Sequence, residues 1–165
     1  MSAFWYYAFT LVFFLFDYFI LAMGLNIQYG ETGILNFAYI GFVAIGAYVT
    51  GAVSLPNSAG TGQHYILGWG LPFPINLLIG GLTASAFAVI VALITLRRLR
   101  TDYLAMVLIS LSLVLYDVCI NYVPLFNGAD GLYNIPEPLA GVFKLTTNSF
   151  IPVFAVVTGV ISMIM

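Results

Sequence analysis

The sequence predicts an all-α fold: a polytopic bundle of transmembrane helices with about five spans, the last one cut short. Three observations carry that prediction. Of the 165 residues, 62% are hydrophobic and only 6% charged, and the mean hydropathy is +1.08. A water-soluble domain carries roughly a quarter charged residues, so burial in lipid is the one way to accommodate this chain. The apolar residues also fall in runs near the ~20 residues needed to cross a ~30 Å hydrocarbon core. Between the runs lie clusters of Gly, Pro, Asn and Ser, the residues that form turns.

The runs follow in order. The first, Ala3 to Leu25, is long enough for one crossing, and with no basic leader or small-residue cleavage site it reads as a retained span rather than a signal peptide. Next comes GLNIQYGETGILN, residues 24–36, where Gly30 and Gly33 predict a break in the helix and Asn26, Gln28, Glu31, Thr32 and Asn36 crowd polar side chains beside it. A broken backbone at membrane depth survives only where protein, water or a cavity satisfies its freed groups. The second span, Leu35 to Val53, carries Ala38, Gly41, Ala44, Ala47 and Gly51 at steps of three and four. Such a small-residue face lets another helix approach closely.

Residues 54–72 lack helical periodicity and read as an extramembrane loop, with Tyr65 and Trp69 expected at the membrane interface. The third span runs from Pro74, placed in a first helical turn, to Leu96. The fourth runs from Tyr103 to Val123, where Pro124 is expected to stop it. A long connection, residues 125–148, contains Asn127-Gly128, Asp130-Gly131 and the Pro136/Pro138 pair. The last run begins near Phe150 and ends at Met165. From Pro152 that is about 21 Å of helix at 1.5 Å per residue, less than a crossing, so the chain reads as truncated or as a half that needs a partner.

Three of the four basic residues, Arg97, Arg98 and Arg100, lie between the third and fourth spans. The positive-inside rule places that loop in the cytoplasm. Met1 and the loops 54–72 and 125–148 then lie outside, and the Gly24–Asn36 segment lies near the inner face. The arginine cluster is read mainly as this topology signal, with docking of a cytoplasmic subunit as its functional alternative.

Chemistry has little to work with here. Cys119 and His64 are each the only residue of their kind, so no disulfide or Cys/His metal site is expected, and no cofactor. His64 reads as a solvated loop residue and Cys119 as packing. Gly60-Thr61-Gly62 opens no helix after a strand and lacks the lysine of a P-loop, and Lys144, the only lysine, has no glycines before it, so ATP hydrolysis is not expected of this chain. No nucleophile, base and orienting group stand at a recognisable spacing, so the chain is read as no enzyme, without catalytic or metal-binding residues. Asp17 and Asp117 lie inside spans, where a charge costs several kcal/mol unless it meets a partner or a cavity. They belong either to a polar pathway or to interfacial and interhelical hydrogen bonding.

Two stretches together resemble the permease subunits of ABC importers for branched-chain amino acids, a family that also serves urea and short amides. The first is residues 24–51, with Gly24-Leu25-Asn26, the glycines 30 and 33, and Gly46-Ala47-Tyr48. The second is LRRLRTDYLAMVLISLSL, residues 96–113, followed by NGADGL at 127–132 and Ile135-Pro136. Order and spacing agree over most of residues 20–138. The chain departs from the family at Tyr39, where a histidine is frequent, and at Leu108 and Leu113, where a threonine and a glutamate are frequent; these bear on the solute, not on the architecture.

The resemblance implies that residues 1–165 form a single transmembrane permease domain, the N-terminal half of a longer family domain, in a multi-pass protein of the cell (plasma or inner) membrane. It implies a second permease subunit, cytoplasmic ATPase subunits that hydrolyse the ATP, and an external solute-binding protein, with the lipid bilayer as solvent and no nucleic acid. A passage for a small zwitterion needs a few polar groups, and Asn26, Gln28, Thr32, Asn36 and Tyr39 are the candidates to line it. Two rivals from other classes are a non-transporting membrane assembly fragment and an ion-coupled transporter or channel using Asp17 and Asp117.

Overall fold

A computed structural model of the chain describes residues 3–33, 36–57, 62–95, 101–136, 157, 159 and 160. The described residues include five named α-helices and one 3-10 turn, with no strand among them beyond an isolated bridge between Tyr65 and Phe126. The helices are α1 (Ala3–Thr32), α2 (Tyr39–Ser54), α3 (Ile75–Thr95), α4 (Thr101–Asn121) and the short α5 (Val123–Phe126), followed by the 3-10 turn Gly128–Asp130. This is the all-α membrane bundle expected from composition. Helices α1, α3 and α4 are long and apolar enough to cross a membrane; α2 is apolar but has 16 residues.

Two compact units divide the chain: residues 1–35 with 139–165, and residues 36–138. In the first, α1 is a single 30-residue helix, about 45 Å long. Within its most apolar stretch nothing is buried. Gly159 packs on the ring of Phe16, where an added Cβ would come within 3.0 Å. The expected fifth span and the arginines 97, 98 and 100 otherwise lie outside the described residues.

In the second unit α2 lies against α3 on one side and α4 on the other. Gly46 and Gly80 bring α2 and α3 together at backbone distance. A Cβ on Gly80 would collide with the Thr50 side chain and stand 2.7 Å from the Gly46 carbonyl oxygen. Phe42 and Phe87 meet edge to face across the same pair, with centroids 6.1 Å apart. Toward α4, Gly41 faces Leu115 and Ser112, which share a helical face with the buried Leu104 and Leu108. Helices in lipid gain nothing from the hydrophobic effect on association, so close small-residue contact supplies the attraction.

Polar atoms within the helices are satisfied locally. The hydroxyls of Thr10, Thr50, Ser54, Thr83, Ser85, Thr95 and Ser110 each donate to the carbonyl four residues earlier. This removes the cost of an unpaired donor in hydrocarbon. The last carbonyls of α2 are satisfied differently: the backbone amides of Gly68, Leu71 and Gly70 donate to Ala52, Val53 and Leu55 at 3.0 Å each. Both glycines hold φ near +59°, a left-handed conformation that a side chain would strain, so the loop can fold back over the helix end.

Candidate functional site

Polar residues concentrate at the α1–α2 connection and at the opposite end of α2, where two connections meet. At the first, α1 continues through Gly30, and an added Cβ there meets nothing within 4 Å. A lone glycine costs a helix about 1 kcal/mol, less than leaving backbone groups unpaired in lipid, so the helix runs through Gly30, one of the two glycines expected to break it. It ends at Gly33, the other, whose φ of +67° stops it and whose amide donates to the Tyr29 carbonyl at 2.7 Å. Thr32 donates its hydroxyl to the Gln28 carbonyl at 2.7 Å. Because α1 is continuous, Gln28 and Thr32 lie one above the other on one face, while Asn26 is turned about 200° from Gln28.

Asn36 lies two residues before the N-cap Ala38 of α2. Its Oδ1 accepts the Ala38 amide at 3.0 Å and its carbonyl accepts the Tyr39 amide at 3.2 Å, a local turn that leads the chain into the helix. Asn26, Gln28 and Thr32 belong to one unit, Asn36 and Tyr39 to the other. Asn26 and Thr32 are exposed, and Gln28, Asn36 and Tyr39 half-buried.

Of the predicted packing face, Ala38, Gly41 and Gly51 are buried, Ala44 is half-buried and Ala47 exposed. Gly51 faces Leu132 and Ile135, not another helix. The tightest helix contact uses Gly46, which lies off that stripe. The sequence signal for it existed: Gly46 and Thr50 stand four apart, as do Gly80 and Ala84, and an added Cβ on Gly46 would lie 3.3 Å from Ala84 Cβ.

The second polar cluster forms a folded cap over one end of the α2–α3–α4 unit. Gln63, buried, pairs with the backbone of Tyr133 as a strand would: its Nε2 donates to the Tyr133 carbonyl at 2.9 Å and its Oε1 accepts the Tyr133 amide at 3.2 Å. Asn127, also buried, sits at φ +61°, accepts the His64 amide on Oδ1 at 2.9 Å and donates Nδ2 to the Gly131 carbonyl at 2.7 Å. The two connections that the positive-inside argument put on one side of the membrane are thus hydrogen-bonded to each other.

Tyr65 corrects an expectation. Rather than lying at the interface it is buried with Ala52 and Leu55, beside Leu132, and its hydroxyl donates to the Pro56 carbonyl. Trp69 is 60% exposed, as an interfacial residue would be, and His64 is exposed in its loop. Pro124 does not terminate α4, which ends at Asn121, but occupies the first turn of α5.

Asp117 lies in the last turn of α4, where its carbonyl accepts Asn121 Nδ2; Asp17 lies midway along α1, exposed. Leu108 is buried on α4, while Leu113 is exposed. Among the described residues no group of three or more His, Cys, Asp or Glu could hold a metal ion.

A family model described as the permease component of a branched-chain amino acid transport system matches residues 7–165. The chain is similar to the high-affinity branched-chain amino acid transport system permease protein LivM of Escherichia coli (strain K12), with 36% identity over 121 residues, which are 73% of this chain and 25% of that protein. It is similar to LivM of Salmonella typhimurium at 34% identity with the same coverage. The aligned part thus spans about a quarter of the length of these curated relatives. No solved structure matches the chain.

Proposed function

Since the chain belongs to the family of branched-chain amino acid transport system permease components, we propose that it forms part of the translocation path of an ABC importer for branched-chain amino acids or a related small polar solute. The observation that carries this reading is the match of the family model to nearly the whole chain. Three helices long and apolar enough to cross a membrane are compatible with it. In this reading the protein resides in the cell inner membrane with the loop bearing Arg97, Arg98 and Arg100 in the cytoplasm and the Gln63–Asn127 cap outside. It works with a second permease subunit, ATPase subunits that supply the energy, and an external solute-binding protein.

Asn26, Gln28, Thr32, Asn36 and Tyr39 remain the proposed lining. Amide and hydroxyl groups suit the carboxylate and ammonium of a zwitterion without a deep charge trap that would hold it. In Thr32 and Asn36 part of that capacity is already used within the backbone, so Asn26, Gln28 and Tyr39 are the three most available to a solute. The experiment is uptake into vesicles reconstituted with the candidate partners. Uptake that requires ATP and the binding protein supports the importer, whereas uptake driven by a proton gradient alone overturns it. Alanine at each of the five positions tests the lining: unchanged uptake removes that residue from the path.

A further inference from the structure

Helix α2 runs on past the end of α4. Gly41 faces Ser112 and Leu115, and from that level α2 continues to Ser54, while α4 stops sooner, at Asn121. At 1.5 Å per residue the last turn of α2 stands about 6–10 Å beyond α4. This overhang, Ala52-Val53-Ser54 with Leu55 after it, is buried throughout. Its cover comes from the two connections rather than from a helix. The Tyr65 ring of one lies on Ala52 and Leu55 with Leu132 of the other beside it, and Leu132 and Ile135 close on Gly51.

The connections are also fastened to each other and to α4. Gln63 holds the Tyr133 backbone at two atoms, Asn127 holds the His64 amide and the Gly131 carbonyl, and Tyr65 bridges to Phe126. Gly128 sits so close to the end of α4 that an added Cβ would lie 3.0 Å from the Ile120 carbonyl oxygen and 3.0 Å from Val123. A continuous path thus leads from α4 through Asn127, His64 and Tyr65 to the end of α2. It lies past the end of a membrane-spanning helix, where water drives apolar side chains together; between helices in lipid that force is missing. The α2–α3 pair has backbone contact at Gly46 and Gly80 to hold it, whereas α4 presents to Gly41 a leucine side chain, which a change of rotamer can withdraw.

We propose that the cap is a strap: it fixes the end of α4 to the α2–α3 pair through a core that water assembles outside the bilayer, not through helix contact within it. The strap belongs to this chain whatever the chain transports. One consequence rests on the importer reading above: the passage does not open between α4 and the α2–α3 pair at the cap end during the cycle.

Spin-label distances in the complete complex, returned to lipid vesicles, test the strap in a Cys119→Ser background. Leu78→Cys with Tyr116→Cys reads α3 against α4, and Ala47→Cys with Leu78→Cys reads α2 against α3; all three positions are exposed. Gln63→Leu combined with Asn127→Ala is expected to widen the α3–α4 distance distribution severalfold and to leave the α2–α3 distribution as it was. Leu115→Ala, which removes the side chain at Gly41 and leaves the cap intact, is expected to leave both narrow.

An α3–α4 distribution that stays narrow in the cap variant places the attachment inside the bilayer, and widening of both distributions makes the cap a support of the whole unit; either result overturns the proposal. Leu115→Ala decides the matter whether or not the cap variant assembles, because widening of the α3–α4 distribution with the cap intact refutes the strap. In the unsubstituted cap, binding of a non-hydrolysable ATP analogue is expected to leave the α3–α4 distance in place, and a shift refutes the closed boundary. Uptake that ignores ATP in the same vesicles counts against the importer reading alone, since the strap variants are read without it.

Discussion

Replacing Gly80 by alanine tests whether backbone contact between α2 and α3 holds the second unit together. The new methyl carbon would meet the Thr50 side chain and stand 2.7 Å from the Gly46 carbonyl oxygen, where ordinary van der Waals contact begins at 3.4 Å. A threonine can rotate, but the carbonyl belongs to the helix itself, so the helices must separate or shift. Overpacking of this kind costs about 1–3 kcal/mol. Gly81 is the control. It is the next residue on α3, exposed, with nothing within 4 Å of an added Cβ.

Both changes gain the same helix propensity, about 0.5–1 kcal/mol for alanine over glycine, so the difference between them isolates the contact. Gly80→Ala is expected to be less stable than Gly81→Ala by about 1–3 kcal/mol, roughly a 5- to 150-fold shift in the unfolding equilibrium at 1.4 kcal/mol per tenfold. Sodium dodecyl sulfate titration of the protein in mixed micelles, followed by circular dichroism, reads that difference directly. Adding Thr50→Ala is expected to recover only part of it, because the Gly46 carbonyl stays in place. Equal stability of the two alanine variants would refute the account of α2–α3 packing.

Three further outcomes follow from the hydrogen bonds. Gln63→Leu removes both hydrogen bonds to the Tyr133 backbone, at about 0.5–1.5 kcal/mol each; hydrogen exchange at the Tyr133 amide should accelerate, and unchanged protection would show that the cap is held otherwise. Asn127→Gly loses two hydrogen bonds but keeps the left-handed backbone, whereas Asn127→Ala adds strain of about 1 kcal/mol or more. Alanine should therefore be the less stable of the two in the same titration, and the reverse order would deny the role of the +61° backbone. Asn36→Ala removes the acceptor for the Ala38 amide and should cost about 0.5–1.5 kcal/mol, the net worth of one hydrogen bond, with faster exchange at Ala38, while Asn36→Asp retains protection.

Much of the architecture was legible because lipid imposes strong rules on sequence. Composition alone dictated a membrane bundle, and α3 starts at Ile75, one residue after the expected Pro74. Of the two glycines expected to interrupt the helix, Gly33, at positive φ, ends α1, whereas Gly30 is a breaker only where water can satisfy its backbone and is carried through because the intrahelical bonds dominate in an apolar helix. Tyr65 was placed at the interface by its side-chain chemistry, yet Tyr65 is buried because Ala52 and Leu55 leave space for its ring.

What the sequence determined by itself is the solvent, the order of the helices and the family, since each is written in local composition or contiguous motif. Tertiary structure decided which glycines touch. Gly46 meets Gly80, and Gly51 meets a loop, because the crossing geometry of α2 selects one among several small-residue stripes. It also decided that Gln63 and Asn127 join connections more than sixty residues apart. No local pattern encodes that pairing: a buried amide finds its partner only once the chain has brought the two segments side by side.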